Sequence, residues 1–325
     1  MLLRMCLTLA ALCWSTGTAP VSAVPENPRH IVGSLKITIL STMLAEHGMG
    51  EWGFSALVEA DGRRILFDTG LYPETVLQNA RKLGIDLSTV TDVVLSHHHG
   101  DHTGGLLALR RELSGKTPTA MSRVHVAPGI FLSRRGPDKP GEANPTIALK
   151  SAMEATGAAF VEHRQPEEII PGVWLTGPVP RPHQERNWGS PASIVTSKGL
   201  VTDSIPEDMA LIVNTNRGFV ILVGCGHAGT INTVEHGRRI IGAEPVHAII
   251  GGLHLFAATD SALAWTSSRL RAANLGYLLG AHCTGIEAVY RIRELAALGR
   301  KRAVVAAVGS SFDASKGIDP LMLAQ

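Results

Sequence analysis

Cysteine is scarce, at 4 in 325 residues. Cys6 and Cys13 fall within the first 23 residues, which leaves Cys225 and Cys283 for the rest of the chain (4 − 2 = 2). A fold stapled by a disulfide framework is therefore excluded. The two survivors either pair with each other or serve as small buried thiols. An excess of one charge sign is also missing: 30 Lys and Arg stand against 28 Asp and Glu, a net charge of +2. With 45% hydrophobic and 18% charged residues, this balance argues against a disordered chain and against a broadly basic nucleic-acid binder. The 34 Gly and 18 Pro follow no period, so collagenous and low-complexity classes go as well. Beyond the amino terminus there is no long uncharged apolar run, and no later segment reads as a membrane span.

What is there begins with residues 1–23. Arg4, an apolar run over 5–14 and the small residues Val21-Ser22-Ala23 follow the order of a secretory signal peptide. A membrane anchor is the weaker reading, because a spanning helix needs about 20 apolar residues. The expected organisation is a signal over 1–23, a short linker over 24–34 and a single domain over 35–325. The mature chain of 302 residues (325 − 23) is then periplasmic or secreted, free of the membrane once the signal is removed.

Short apolar or alternating runs predict strands over 35–40, 54–59 and 64–67, with Asp61-Gly62 as a hairpin turn between the last two. A helix is expected over 73–83, with Val76, Leu77, Ala80 and Leu83 on one face. A buried strand follows over 90–96, and another helix after Thr103 carries Leu106, Leu107, Leu109 and Leu113. The second half repeats the theme, with strands over 210–214, 219–223, 248–250, 277–279 and 302–308 and helices over 231–241, 261–273 and 285–297. The class is α/β: two sheets face to face with helices outside. Residues 133–145 break the alternation. They read either as a lid whose Arg134, Arg135 and Lys139 meet an anionic substrate or as a solvated surface loop.

Histidine is the unusual entry in the composition, at 14 residues. Residues 96–105 read SHHHGDHTGG at the end of a strand. So many imidazoles and a carboxylate in one tight turn have no structural purpose, whereas a zinc or iron site needs that donor set.

His97-x-His99-x-Asp101-His102 resembles the HxHxDH signature of the metallo-β-lactamase superfamily, and Leu66-Phe67-Asp68-Thr69-Gly70 before it fits the same setting. Residues 177–181 (GPVPR), 208–212 (DMALI), 224–229 (GCGHAG), 251–255 (GGLHL) and 282–285 (HCTG) resemble the dihydropterin ribofuranosylaminobenzene phosphate synthase-like branch. The resemblance implies an αββα sandwich and a site for one or two zinc ions, with manganese or iron as alternatives. His97, His99 and His227 would hold one ion, and Asp101, His102 and His282 a second. Asp68 would support the metal turn by hydrogen bonding. His254 would bind metal, donate a proton or touch substrate. His98 would point away. Hydrolases of the superfamily carry a bridging Asp after Gly on the later strand, and here Cys225 follows Gly224. A Cys225 thiolate, Asp208 or water alone could take that place.

The leading expectation is a hydrolase in which metal-activated water attacks a small, anionic substrate, with Asp101 and His254 in catalytic roles. A second is a pterin transferase forming a carbon-nitrogen bond, with Arg181, Arg134 and Arg135 on a phosphate. Export from the cytosol speaks against the second. A third is a metal or ligand binder without catalysis.

Overall fold

The computed structural model describes residues 29–137, 140–185 and 191–323. The signal segment 1–23, residues 24–28 of the linker and Lys139 lie outside the described residues.

Alternation in the sequence becomes alternation in space. Along Leu211–Thr215 and Gly218–Val223, the side chains of Leu211, Val213, Val220 and Leu222 enter one apolar layer, and Ile212, Phe219, Ile221 and Val223 enter another. Strands covered on both faces read as continuous apolar runs for this reason. Where a turn is needed, the chain supplies it: Asp61 and Gly62 have φ of 47° and 78°, and the strands Ser55–Ala60 and Arg63–Phe67 pair on either side. Two consecutive positive φ values give the turn whose twist matches paired strands.

Among the described residues, one sheet has eight strands in the order Gly317–Asp319, Ser311–Asp313, Leu35–Ser41, Ser55–Ala60, Arg63–Phe67, Asp92–Val94, Arg123–Val126 and Ala159–Glu162. A second has seven, in the order Ala303–Val305, Tyr277–Gly280, Val246–Gly251, Gly218–Val223, Leu211–Thr215, Val173–Leu175 and Glu167–Ile170. Ile37, Ile39, Phe54, Ile65 and Phe67 of the first sheet side meet Leu211, Val213, Val220, Leu222 and Leu279 of the second in the central layer. The helices Thr75–Lys82, Leu106–Ser114 and Pro145–Glu154 cover the outer face of the first sheet through Val76, Ala80, Leu106, Leu109 and Met153. Thr230–Ile241, Asp260–Ala272 and Ile286–Leu295 cover the second through Ile231, Val234, Leu270, Val289 and Ile292. Helices this short depend on burying an apolar face rather than on propensity. The expected αββα order is the observed one.

Register decides where the loops go. Phe67 lies opposite Val94 in parallel strands of the first sheet. In the second, Val223 pairs with Gly251, Gly251 with Gly280 and Gly280 with Val305, again all parallel. These strands end together, so the segments that follow them gather at one rim, where open parallel sheets bind ligands.

Three expectations need correction. Residues 302–308 do not form one strand: Ala303–Val305 belongs to the second sheet, while Ala307–Val308 pairs with Leu44–Ala45. The chain crosses between sheets here, with Ala306 N donating to Gly280 O and Gly309 N to Ile39 O. Second, Arg134 in the stretch 133–145 is neither a lid cation nor solvated, whereas its neighbour Arg135 is exposed. Arg134–Arg135 pairs with Ser193–Thr196, and Arg134 is completely buried, donating from Nε to Asp203 Oδ2 at 2.7 Å and from Nη2 to Glu207 Oε2 at 2.8 Å. That guanidinium is committed to carboxylates inside the protein and cannot meet a substrate phosphate. Third, the linker is partly fold: Val32 is buried, and its N donates to Asn214 O at 2.9 Å. No helix among the described residues is long and apolar enough to cross a membrane.

Candidate metal centre

The metal turn is built around Asp68. This residue sits at φ 54° directly after Arg63–Phe67. Its Oδ1 accepts from Ser96 N at 2.7 Å, and its Oδ2 accepts from Ser96 Oγ at 2.7 Å and lies 2.7 Å from His102 Nδ1. The carboxylate thereby fixes which face His102 turns to the rim, as expected of Asp68. Gly100–Thr103 then winds into one helical turn with His99 before it, and Phe54 N donates to Asp101 O. Gly104 and Gly105 are required here, because a Cβ would stand 1.9 Å from Leu71 O and 2.3 Å from Thr69 O respectively.

Three strand ends of the second sheet bring the remaining donors. His227 follows Gly218–Val223, His254 follows Val246–Gly251 and His282 follows Tyr277–Gly280. His254 and His282 both have positive φ, at 51° and 46°. His97 Nε2 lies 3.0 Å from His99 Nδ1 and 3.3 Å from His227 Nε2. Asp101, His102 and His282 form a second group, with His282 Nε2 3.4 Å from Asp101 Oδ2. Cys225 joins the two: its Sγ is 3.1 Å from His102 Nε2, and it groups with His97 and His102 on one side and with His254 and Cys283 on the other. Cys225 and Cys283 are free thiols with their sulfurs 3.2 Å apart.

These surroundings fit a divalent cation. Nitrogens of three imidazoles face one another at 3.0 and 3.3 Å within a mostly buried pocket, and lone pairs that close need a proton or a cation between them. Burial and the neighbouring imidazoles hold the pKa of His97 well below its ordinary value, so its nitrogen stays free to ligate. Burial opposes charge on His102 too, but Asp68 and Asp101 outweigh it and raise its pKa to about 9; their negative charge favours a cation at this imidazole, a proton or a metal ion in its place. Asp101 is pushed the other way: burial disfavours its charge, yet His102 and His282 keep it a carboxylate. Divalent transition-metal ions accept such a mixture of N, O and S donors.

Of the three ways to replace the bridging carboxylate, Cys225 is the residue found among the donors. Asp208 is buried and turned to Ala228 N, which donates to its Oδ2 at 2.7 Å, and burial lifts its pKa to about 6. His98 points away as expected, with Nδ1 2.7 Å from Glu207 Oε1. Arg181 is exposed and gives one N–H to Ile205 O at 2.8 Å. Cys283 stands among the donors, signalled in the sequence only by its adjacency to His282. No local pattern signals Glu207, which meets His98, or Glu51, whose buried carboxylate accepts from Leu71 N and Tyr72 N.

Two packed sheets with a donor cluster at one rim define a metallo-β-lactamase fold protein. The sequence pattern of the metallo-β-lactamase superfamily matches residues 53–183. The 7,8-dihydropterin-6-methyl-4-(β-D-ribofuranosyl)-aminobenzene-5′-phosphate synthase of Methanocaldococcus jannaschii is 30% identical over 272 residues, covering 79% of this chain and 90% of the synthase. A solved structure described as a metal-dependent hydrolase of the β-lactamase superfamily superposes with a TM-score of 0.70 at 26% identity, over 85% of this chain and 98% of that one. Zinc-bound PqqB from Methylobacterium extorquens shares the fold, with a TM-score of 0.52 at 15% identity over 85% of this chain and 99% of its own. The chain belongs to the metallo-β-lactamase superfamily and, within it, to the dihydropterin ribofuranosylaminobenzene phosphate synthase-like branch. It is an enzyme of that superfamily.

Proposed function

We propose that this protein is a metal-dependent transferase that forms a carbon-nitrogen bond between the methyl carbon of a reduced pterin and the amine of an aminobenzene carrying a ribose phosphate. The reading rests on 30% identity to the synthase over a match that covers 90% of that enzyme's length. It is supported by Cys225 at the position where superfamily hydrolases have a bridging Asp, among the donors rather than beside them.

In this reading His97, His99 and His227 hold one ion, and Asp101, His102 and His282 hold another beside Cys225. Zinc is the proposed ion, with manganese or iron as alternatives. A bound divalent ion would supply positive charge for an oxygen that becomes negative, or lower the pKa of a water. Asp68 keeps His102 oriented toward that charge. His254 takes the proton that the amine loses as its nitrogen attacks the methyl carbon, while the bond from that carbon to its leaving group breaks and the group departs with the electron pair as an anion; exposed Arg181 binds the small anionic substrate through its phosphate.

The test offers metal-loaded protein a 6-methyl dihydropterin bearing a leaving group on the methyl carbon, together with the aminobenzene ribofuranoside phosphate. Mass spectrometry should find the coupled product, and omission of the amine should abolish it. Its absence, with release of acid from esters or lactones instead, would establish the second reading, metal-dependent hydrolysis. That second reading draws on the 0.70 TM-score match to a protein described as a hydrolase. Export to the periplasm or beyond, which the pattern of residues 1–23 supports, would also favour it by separating the enzyme from cytosolic pterins.

A further inference from the structure

Seven aromatic rings close into a cycle around the metal centre. Centroid distances run from His282 to Trp52 at 4.9 Å, Trp52 to Phe256 at 6.0 Å, Phe256 to His254 at 5.3 Å and His254 to His227 at 4.7 Å. They continue from His227 to His97 at 4.7 Å, His97 to His102 at 4.2 Å and His102 back to His282 at 5.0 Å. Five of the rings are imidazoles with a place in the site. Trp52 and Phe256 have no donor atom for a metal, and they complete the cycle on the solvent side, 45% and 50% exposed.

Their backbones are pinned. Trp52 follows Glu51, whose buried carboxylate accepts from Leu71 N at 2.9 Å and Tyr72 N at 3.0 Å, and two residues later Phe54 N donates to Asp101 O. Phe256 N and Leu255 N both donate to Cys283 O, and Gly285 leaves no space for a Cβ, which would stand 2.8 Å from Phe256 Cα. The backbones that carry the two rings are therefore fixed, one in the loop before Ser55–Ala60 of the first sheet and one in the loop after Val246–Gly251 of the second, with about half of each residue's surface in water. Rings that served packing alone would gain more by turning inward. At the lip of a reacting centre, an exposed π face and edge offer a planar ring an offset or edge-on partner.

We propose that Trp52 and Phe256 form a platform on which the planar aromatic ring of the substrate docks, and that they determine specificity for ring-bearing substrates. The identity of that ring as aminobenzene or pterin rests on the transferase reading, while the platform itself does not. The cycle places the docked ring beside His254 and His282, so the atom to be joined or cleaved hangs over the metal donors. A platform that holds the bound ring equally before and during reaction acts on KM rather than on the chemical step.

The test titrates metal-loaded protein with three probes: 6-hydroxymethylpterin, 4-aminobenzoate and cyclohexanecarboxylate, a carboxylate of similar size without a π system. At least one aromatic probe should bind more tightly than the cyclohexane control. Trp52→Leu and Phe256→Leu should each weaken that probe about three- to ten-fold, as a lost aromatic pair does. Trp52→Phe should restore most of it, and metal content and melting temperature should stay at wild-type values. The proposal is overturned if neither aromatic probe beats the control, if the Leu variants bind as wild type, if probe and control weaken alike, or if the variants lose metal. Failure of the coupling assay leaves these binding results intact, so the two ideas fail separately.

Discussion

Among the described residues, two places bury imidazoles against one another, and one of them is built for a metal. At the sheet edge, His125 Nδ1 lies 2.8 Å from His163 Nε2, and each outer nitrogen is met by a carboxylate: Asp92 Oδ1 at 2.8 Å and Glu167 Oε2 at 2.7 Å. Protons alone satisfy that row. At the rim, His97, His99 and His227 face each other with no carboxylate in their group. The count of acceptors against donors, not the count of histidines, separates the structural pair from the metal centre. His98 makes the same point inside the motif, since Glu207 satisfies it while its neighbours on both sides turn to the cluster.

The sharpest way to break the comparison is to remove one imidazole from each place. His227→Ala and Asp101→Ala should stay folded, lose metal by elemental analysis and lose activity by about a thousand-fold or more, as expected when a metal-activated group goes. His163→Ala should keep both metal and activity. Chelator treatment should mimic the first result, and added metal should reverse it; full turnover in metal-free protein would end the metal reading.

Next in size is Arg134→Ala, which strands Asp203 and Glu207 in the interior. Breaking a buried ion pair from one side costs about 3–5 kcal/mol. Urea unfolding should register that loss while the metal content of the folded fraction is unchanged. A smaller effect is expected for Asp68→Asn, which keeps the size but weakens the grip on His102: metal affinity should fall about 10- to 100-fold, measured by competition with a chromophoric chelator.

The smallest test concerns the structural pair. Burial raises the pKa of Asp92, but His125 and Arg123 more than offset this and lower it from 3.8 to about 2. A depressed carboxylate pKa contributes stability that is full above the unfolded value and fades as pH falls toward the folded one. The window is therefore pH 4 down to 2. Burial also lowers His163, so its protonation favours the unfolded chain below about pH 6.5, the unperturbed His value. Asp92→Asn should flatten the lower part of the acid limb in urea titrations from pH 2 to 7; an unchanged limb would remove the pair from the stability account.

Much of this was legible in the chain. The strands around Leu211–Thr215 and Gly218–Val223 announced themselves by apolar runs, and SHHHGDHTGG announced the site, because local patterns encode local structure. Short strands such as Glu167–Ile170, half exposed and weakly alternating, did not. Nor did the fate of Arg134: whether a loop cation meets water, substrate or a buried carboxylate depends on Asp203 and Glu207, about 70 residues further along.

By itself, then, the sequence determined the layers and the motif turn and offered the candidate donors, since periodicity and residue chemistry are properties of neighbours along the chain. Tertiary structure alone decided that Cys225 rather than Asp208 stands among those donors, that Arg134 is sealed inside, and that Trp52 and Phe256 complete a ring with five histidines. Those outcomes depend on the register of parallel strands, which brings residues more than 100 positions apart to one rim, and no local pattern carries that register.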